Sequence, residues 1–149
     1  MLKNTTIGEL VRDLKAINEV DIWLLSVDEE VKDLVHILQV QQLDEGQRPD
    51  GSEYDNYSPV SINVYGKPDS PIKWKDSGYF YNHIRALVDA NGIEITNEGT
   101  IDEVTGQRID LELKFNEEII GLQQGSLAEL IKVIREKYLQ KLRKILLQG

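Results

Sequence analysis

The chain has 149 residues, 40% of them hydrophobic, and a formal charge of -9 at neutral pH. That size suits one conventional core, with residues 1-149 forming a single domain, and the absence of cysteine removes disulfide frameworks, thiolate metal sites and cysteine nucleophiles together. The longest apolar runs, such as Ile22 to Leu25, are too short to span a membrane and no basic-then-apolar leader follows Met1, so a soluble protein made in the cytoplasm is expected.

Taken in order, three segments place a hydroxyl three residues before a glutamate and just ahead of a helical apolar repeat: Thr6 with Glu9, Ser26 with Glu29, and Ser126 with Glu129. In this capping box each side chain satisfies a backbone donor that the helix start leaves open, so three helices are predicted. The first covers Ile7 to Asn18, with Leu10, Val11, Leu14 and Ile17 on one stripe. Asp21 to Leu25 reads as a turn anchored by Trp23. The second helix buries Val27, Val31, Leu34, Val35 and Leu38 and ends near Gly46, a natural C-terminal glycine. His36 lies beside that stripe and has only His83 as an imidazole companion, so a metal site is not expected.

Gln47 to Pro59 carries turn chemistry at Pro49-Asp50-Gly51 and Tyr57-Ser58-Pro59. Its acids do not follow the calcium-loop spacing and read as solvated charge. Val60, Ile62 and Val64 then alternate with polar or amphipathic neighbours, the period of a half-buried strand, until Gly66-Lys67-Pro68 breaks it. That Gly-Lys pair lacks the flanking residues of a phosphate loop. Ile84, Ala86 and Val88 alternate towards Asn91-Gly92, a strong hairpin signal, with Ile93 and Ile95 on the return. Ile109, Leu111, Leu113 and Phe115 alternate with charged residues and predict another strand. The last helix, from Ser126, sets Leu127, Leu130, Ile131, Ile134, Tyr138, Leu142 and Ile145 in one stripe. The expected fold is α+β: an antiparallel sheet of about four strands packed against two N-terminal helices and one long C-terminal helix.

Charge is divided unequally. From Ser126 onward there are six basic residues against two acids, a balance of +4 that leaves -13 for the remainder. An acidic body argues against general nucleic-acid binding. The basic residues suit the dipole of a helix C-terminus, and Lys137, Lys141, Arg143 and Lys144 are also candidates for contact with an acidic face of a neighbouring copy. For catalysis, Ser77 and His83 are the one conceivable nucleophile-base pair, without nucleophile-elbow spacing, and Glu29-Glu30 and Glu117-Glu118 are neighbours rather than carboxylates set across a cleft. No enzyme activity and no cofactor are expected.

Pro49 to Ile84 holds all four prolines and five of the six tyrosines. Within it Asp76 and Ser77 can bond to amides ahead of them, Gly78 frees the backbone to turn, and Tyr79, Phe80 and Tyr81 supply aromatic area with polar tips. The order Pro49-Asp50-Gly51, then Tyr57-Ser58-Pro59, then Lys67, then Asp76-Ser77-Gly78 with Phe80 and Asn82, resembles the tail-completion and head-tail joining proteins of tailed phages, the group often labelled virion morphogenesis or minor tail proteins. The resemblance covers the middle third of the chain. It implies a non-enzymatic virion part, made in the host cytoplasm, that forms a homo-oligomeric ring at the neck or tail end with other neck or tail proteins. DNA would pass nearby without specific binding, and no membrane is involved. The acidic body and basic tail suit head-to-tail contact in such a ring. From a different class, an acidic protein-binding inhibitor or DNA mimic fits the -13 body, and a small hydrolase using His83 is the third alternative.

Overall fold

The computed structural model describes residues 19-75 and 77-147. The helix predicted over Ile7 to Asn18 lies outside them, as does Asp76. The described elements are α1 (Glu19–Ser26), α2 (Glu29–Asp44), α3 (Pro59–Tyr65), α4 (Tyr79–Asn82), β1 (Arg85–Asp89), β2 (Gly92–Thr96), β3 (Thr100–Ile101), β4 (Arg108–Ile109), α5 (Leu111–Phe115) and α6 (Gln124–Leu147). The mixed helix-and-sheet class and the long C-terminal helix agree with expectation.

The turn expected at Asp21 to Leu25 is helix α1 instead, and Ser26 ends it rather than capping α2. Buried away from water, the Ser26 hydroxyl donates 2.6 Å back to the carbonyl of Ile22. Asp28 takes the capping role, accepting from the amide of Val31 at 3.1 Å with a negative charge suited to the positive end of the helix. The predicted apolar face of α2 buries Val31, Val35 and Leu38, with Val27 just ahead of it. At its C-terminus Gly46 adopts φ 71°, and the amides of Gly46 and Gln47 return to the carbonyls of Leu43 and Gln42 at 2.9 and 3.0 Å. That crossed pair closes the last turn, and glycine holds the left-handed backbone without strain.

The hairpin forms as β1 against β2, but its turn sits one residue earlier than Asn91-Gly92. Asp89 pairs with Gly92, so Ala90 and Asn91 occupy the turn, and the Asp89 carboxylate closes it by accepting from the amides of Asn91 and Gly92 at 2.7 and 3.1 Å.

The sheet of about four strands is not present among the described residues. β1 and β2 form one two-stranded antiparallel sheet, and β3 and β4 form another, in which Thr100 pairs with Ile109 and Ile101 with Arg108. Two predicted strands coil into helices because their ends are capped. In α3, Ser58 accepts from the amide of Ser61 at 3.1 Å, Pro59 fills the first helical position, and Gly66 ends the run. In α5, Asp110 accepts from the amide of Leu113 at 3.1 Å and Asn116 turns left-handed at φ 51°. Alternation then no longer sorts side chains into inside and outside, and Val60, Val64, Leu113 and Phe115 are exposed.

Two buried clusters result. One gathers Leu43, Tyr54, Phe80, Tyr81, Ile84, Leu111 and Ile119, the other Val27, Val31, Val35, Leu38, Leu122 and Leu130, and Ile95 packs against both. Two fully buried glutamines tie α2 to the irregular passage before α6. Gln39 accepts from the amide of Gly121 at 2.9 Å and donates to the carbonyl of Ile119 at 3.4 Å. Gln42 donates to the carbonyl of Gly121 at 2.8 Å and accepts from the amide of Gln123 at 2.8 Å. α6 begins at Gln124, two residues before the predicted Ser126, and packs along α1 and α2 rather than along a sheet. Of its predicted apolar stripe only Leu130 is buried.

Candidate interaction surfaces

The turn residues singled out in the sequence divide into two groups. At Pro49-Asp50-Gly51 the Asp50 carboxylate accepts from the amide and hydroxyl of Ser52 at 2.8 and 2.6 Å, bonds that hold its pKa below the ordinary carboxylate value. The loop is fixed by Arg48, which sequence reasoning missed. Its guanidinium forms a two-pronged bond with Glu117, both contacts at 3.2 Å, lies 4.7 Å from the centroid of the Tyr54 ring, and donates to the carbonyl of Glu53. Tyr54 is buried and donates to the carbonyl of Glu118 at 2.5 Å. Burial, with the Glu117 charge nearby, pushes its phenol up to about 12.

The second group surrounds α4. The Tyr57 hydroxyl accepts from the amide of Lys73 at 3.2 Å, and Ser58 serves as the cap of α3. Ser77 accepts from the amide of Tyr79 at 3.3 Å, and Gly78 turns at φ 87° so that Phe80 and Tyr81 enter the core. Both rings are therefore core anchors, while Asn82 stays exposed. Tyr81 donates to the carbonyl of Lys73 at 2.6 Å, and burial raises its pKa. Tyr79 donates to Glu98 at 3.1 Å and stacks on His83 with ring centroids 3.8 Å apart. His83 donates through Nδ1 to the carbonyl of Tyr79 at 2.7 Å, and its Nε2 faces Glu98 at 3.9 Å. No hydrogen bond joins His83 to Ser77 among the described residues. His36 donates through Nδ1 to the carbonyl of Ile84 at 2.9 Å and pins the start of β1.

The basic residues of α6 also divide. Lys137, expected to reach a neighbouring copy, already bridges Asp28 and Glu30 of its own chain at 3.0 Å each. Hydrogen bonds to Glu30 and Asp28 raise its pKa. For Asp28, burial alone would raise the pKa, but the Lys137 ammonium and the Val31 amide outweigh it and hold the carboxyl below the ordinary 3.8. Arg143 and Lys144 are exposed and Lys141 is half-buried, and no carboxylate of the described residues pairs with any of the three.

An apolar groove of about 720 Å³ opens between α6, Trp23 of α1 and the β2 side chains Ile93 and Ile95. Leu127 and Ile131 of α6 line it while remaining 41% and 52% exposed. Farther along the helix Leu139, Ile145 and Leu147 also stand in water. Contiguous apolar surface of this kind marks a contact site more often than scattered single residues do. Among the described residues no group of three or more His, Cys, Asp or Glu is placed to hold a metal ion, and no helix is long and apolar enough to cross a membrane. Comparison with protein-family models, with curated proteins and with solved structures finds no match.

Proposed function

We propose that this chain is a structural virion protein of a tailed phage or prophage, a head-tail connector or tail-completion component that assembles with its own copies into a ring and catalyses no reaction. One observation carries the assembly part: of its apolar stripe the long helix α6 buries only Leu130 and leaves Leu127, Ile131 and Ile145, with the groove beside it, open to water. Each Å² of apolar surface removed from water contributes roughly 25 cal/mol, so a neighbouring copy laid on this face gains what the isolated chain does not. The phage class is supported by the order of turn motifs from Pro49 to Asn82. The charge split supports a head-to-tail arrangement, with the cations Lys141, Arg143 and Lys144 of one copy meeting the acidic body of the next. An acidic lining would let DNA pass without phosphate contacts.

Native mass measurement of the purified chain, alone and with neck or tail proteins from its genomic neighbourhood, tests this reading. A closed oligomer, dispersed by Ile131→Glu with Leu139→Glu, is the expected result. A strict monomer never incorporated into particles would overturn it, and tight binding of that monomer to a basic nucleic-acid enzyme would favour the DNA-mimic alternative instead.

A further inference from the structure

A second groove, of about 480 Å³, opens between α3, the β3-β4 pair and α5, and no residue of α6 lines it. Its apolar wall includes Trp74 and Phe115, whose rings meet edge to face with centroids 5.2 Å apart. Phe115 is 51% exposed and Trp74 is half-buried against the core, so the Phe115 end of this wall stands in water. Trp74 holds φ 59°, a left-handed backbone that bulky side chains rarely adopt and that persists only where the surroundings enforce it. Such outliers gather at ligand-contacting positions.

Around this wall three lysines rest over aromatic rings. Lys67 lies 5.7 Å from the centroid of Tyr57, Lys75 5.5 Å from that of Tyr81, and Lys114 5.4 Å from that of Phe115. Lys75 and Lys114 are exposed, and neither pairs with a carboxylate of the described residues. Two acids share the groove, Asp102 and Glu103. Asp102 is engaged by the amides of Val104 and Thr105 at 2.8 Å each. A ring face holds an exposed ammonium weakly, so a carboxylate arriving from outside finds a cation already positioned. In a chain of net charge -9, the two exposed lysines Lys75 and Lys114 beside exposed aromatic surface are the unusual feature, with the Lys114 charge also felt by Asp102.

We propose that this groove is a docking site for a short acidic peptide segment of a partner protein. One apolar side chain rests on the Trp74-Phe115 wall, and flanking carboxylates are taken by Lys75 and Lys114. Nucleic acid fits less well: its affinity grows with the number of phosphates neutralised, and three lysines on an acidic body neutralise few. The proposal does not depend on assembly through α6.

Fluorescence anisotropy with the full chain tests it, using three labelled probes: the peptide Glu-Phe-Glu-Leu-Glu, its counterpart with lysine in place of glutamate, and single-stranded oligothymidine. The acidic peptide should bind saturably and weaken with added salt. Lys75→Glu with Lys114→Glu should weaken it by roughly tenfold or more, since two exposed pairs become repulsive. Lys132→Glu on α6 should leave binding unchanged, and circular dichroism should show every variant folded. Phe115→Ala should weaken the binding that survives at high salt. No binding of the acidic peptide, equal binding of the basic one, tighter binding of oligothymidine, or full binding by the folded double variant would each overturn the proposal.

Discussion

Replacing Gln42 with leucine tests whether the buried glutamines hold the fold together. The side chain is 1% exposed and makes two bonds at 2.8 Å, donating to the carbonyl of Gly121 and accepting from the amide of Gln123. Leucine keeps much of the volume but leaves both part-buried backbone groups without their side-chain partner. Each orphaned group costs about 1–3 kcal/mol, and the added apolar burial returns part of that, so a net loss of about 2–4 kcal/mol is expected. Urea unfolding followed by circular dichroism measures it as a lower midpoint at unchanged slope. Gln39→Leu should behave similarly, because Gln39 accepts from the amide of the same Gly121 at 2.9 Å. Since the two clasps share that residue, the double variant should lose less than the sum of the single losses. A loss below about 0.5 kcal/mol for Gln42→Leu, the range of an ordinary surface change, would refute the reasoning.

Asp28→Ala removes the cap of α2 and a partner of Lys137, and should cost about 1 kcal/mol at neutral pH. Because the folded-state pKa of Asp28 lies below 3.8, its contribution is present above the unfolded pKa and disappears as pH falls through the folded one; the gap between variant and parent should close in urea titrations below about pH 4. Tyr54, with its phenol pushed up to about 12, stabilises the fold below the ordinary tyrosine pKa of about 10 and ceases to as pH rises through its folded value. A spectrophotometric titration of the native chain should therefore show late-ionising tyrosines that join the rest in denaturant; a single native transition would contradict this. Trp23→Phe deletes the 2.7 Å bond from the indole to the carbonyl of Asp89 and should lower stability by about 1 kcal/mol in the same urea assay. Gly46→Ala places a Cβ 2.6 Å from the Cβ of Pro71 at a φ of 71°, and thermal unfolding should report a loss of at least 1–2 kcal/mol from the backbone alone.

The sequence disclosed most where a signal was local and did not compete with another. The apolar face of α2 and the existence of the β1-β2 hairpin were legible from spacing, while the position of its turn was one residue out. At Val60 to Val64 two signals conflicted: strand-like alternation was read, while Ser58-Pro59 and Gly66, start and stop marks of a helix, decided the outcome. Asp110 did the same for Leu111 to Phe115. Such short capped segments need no buried stripe, so periodicity cannot find them. The Arg48-Glu117 pair and the glutamine clasps join residues 69 to 82 positions apart, and nothing beside either partner in the chain marks them. At Ser77 and Gly78 the chain turns into α4, whose Phe80 and Tyr81 rings enter the core while Tyr79 stays half-buried on His83 and Glu98.

Helix α2 also sets the order in which this chain can fold. Its two ends close through neighbours in sequence, Asp28 at the start and Gly46 at the finish, so the helix can form before anything packs on it. Its partners arrive much later: the carbonyl that His36 holds lies 48 residues on, and those that take the clasps lie about 80 on. At synthesis rates of roughly 5–20 residues per second, those last partners emerge about 4–16 s after the helix. Through that interval Val31, Val35 and Leu38 have no cover from Leu122 or Leu130. The nascent chain therefore carries this apolar helix face for seconds before Leu122 and Leu130 can complete its cover.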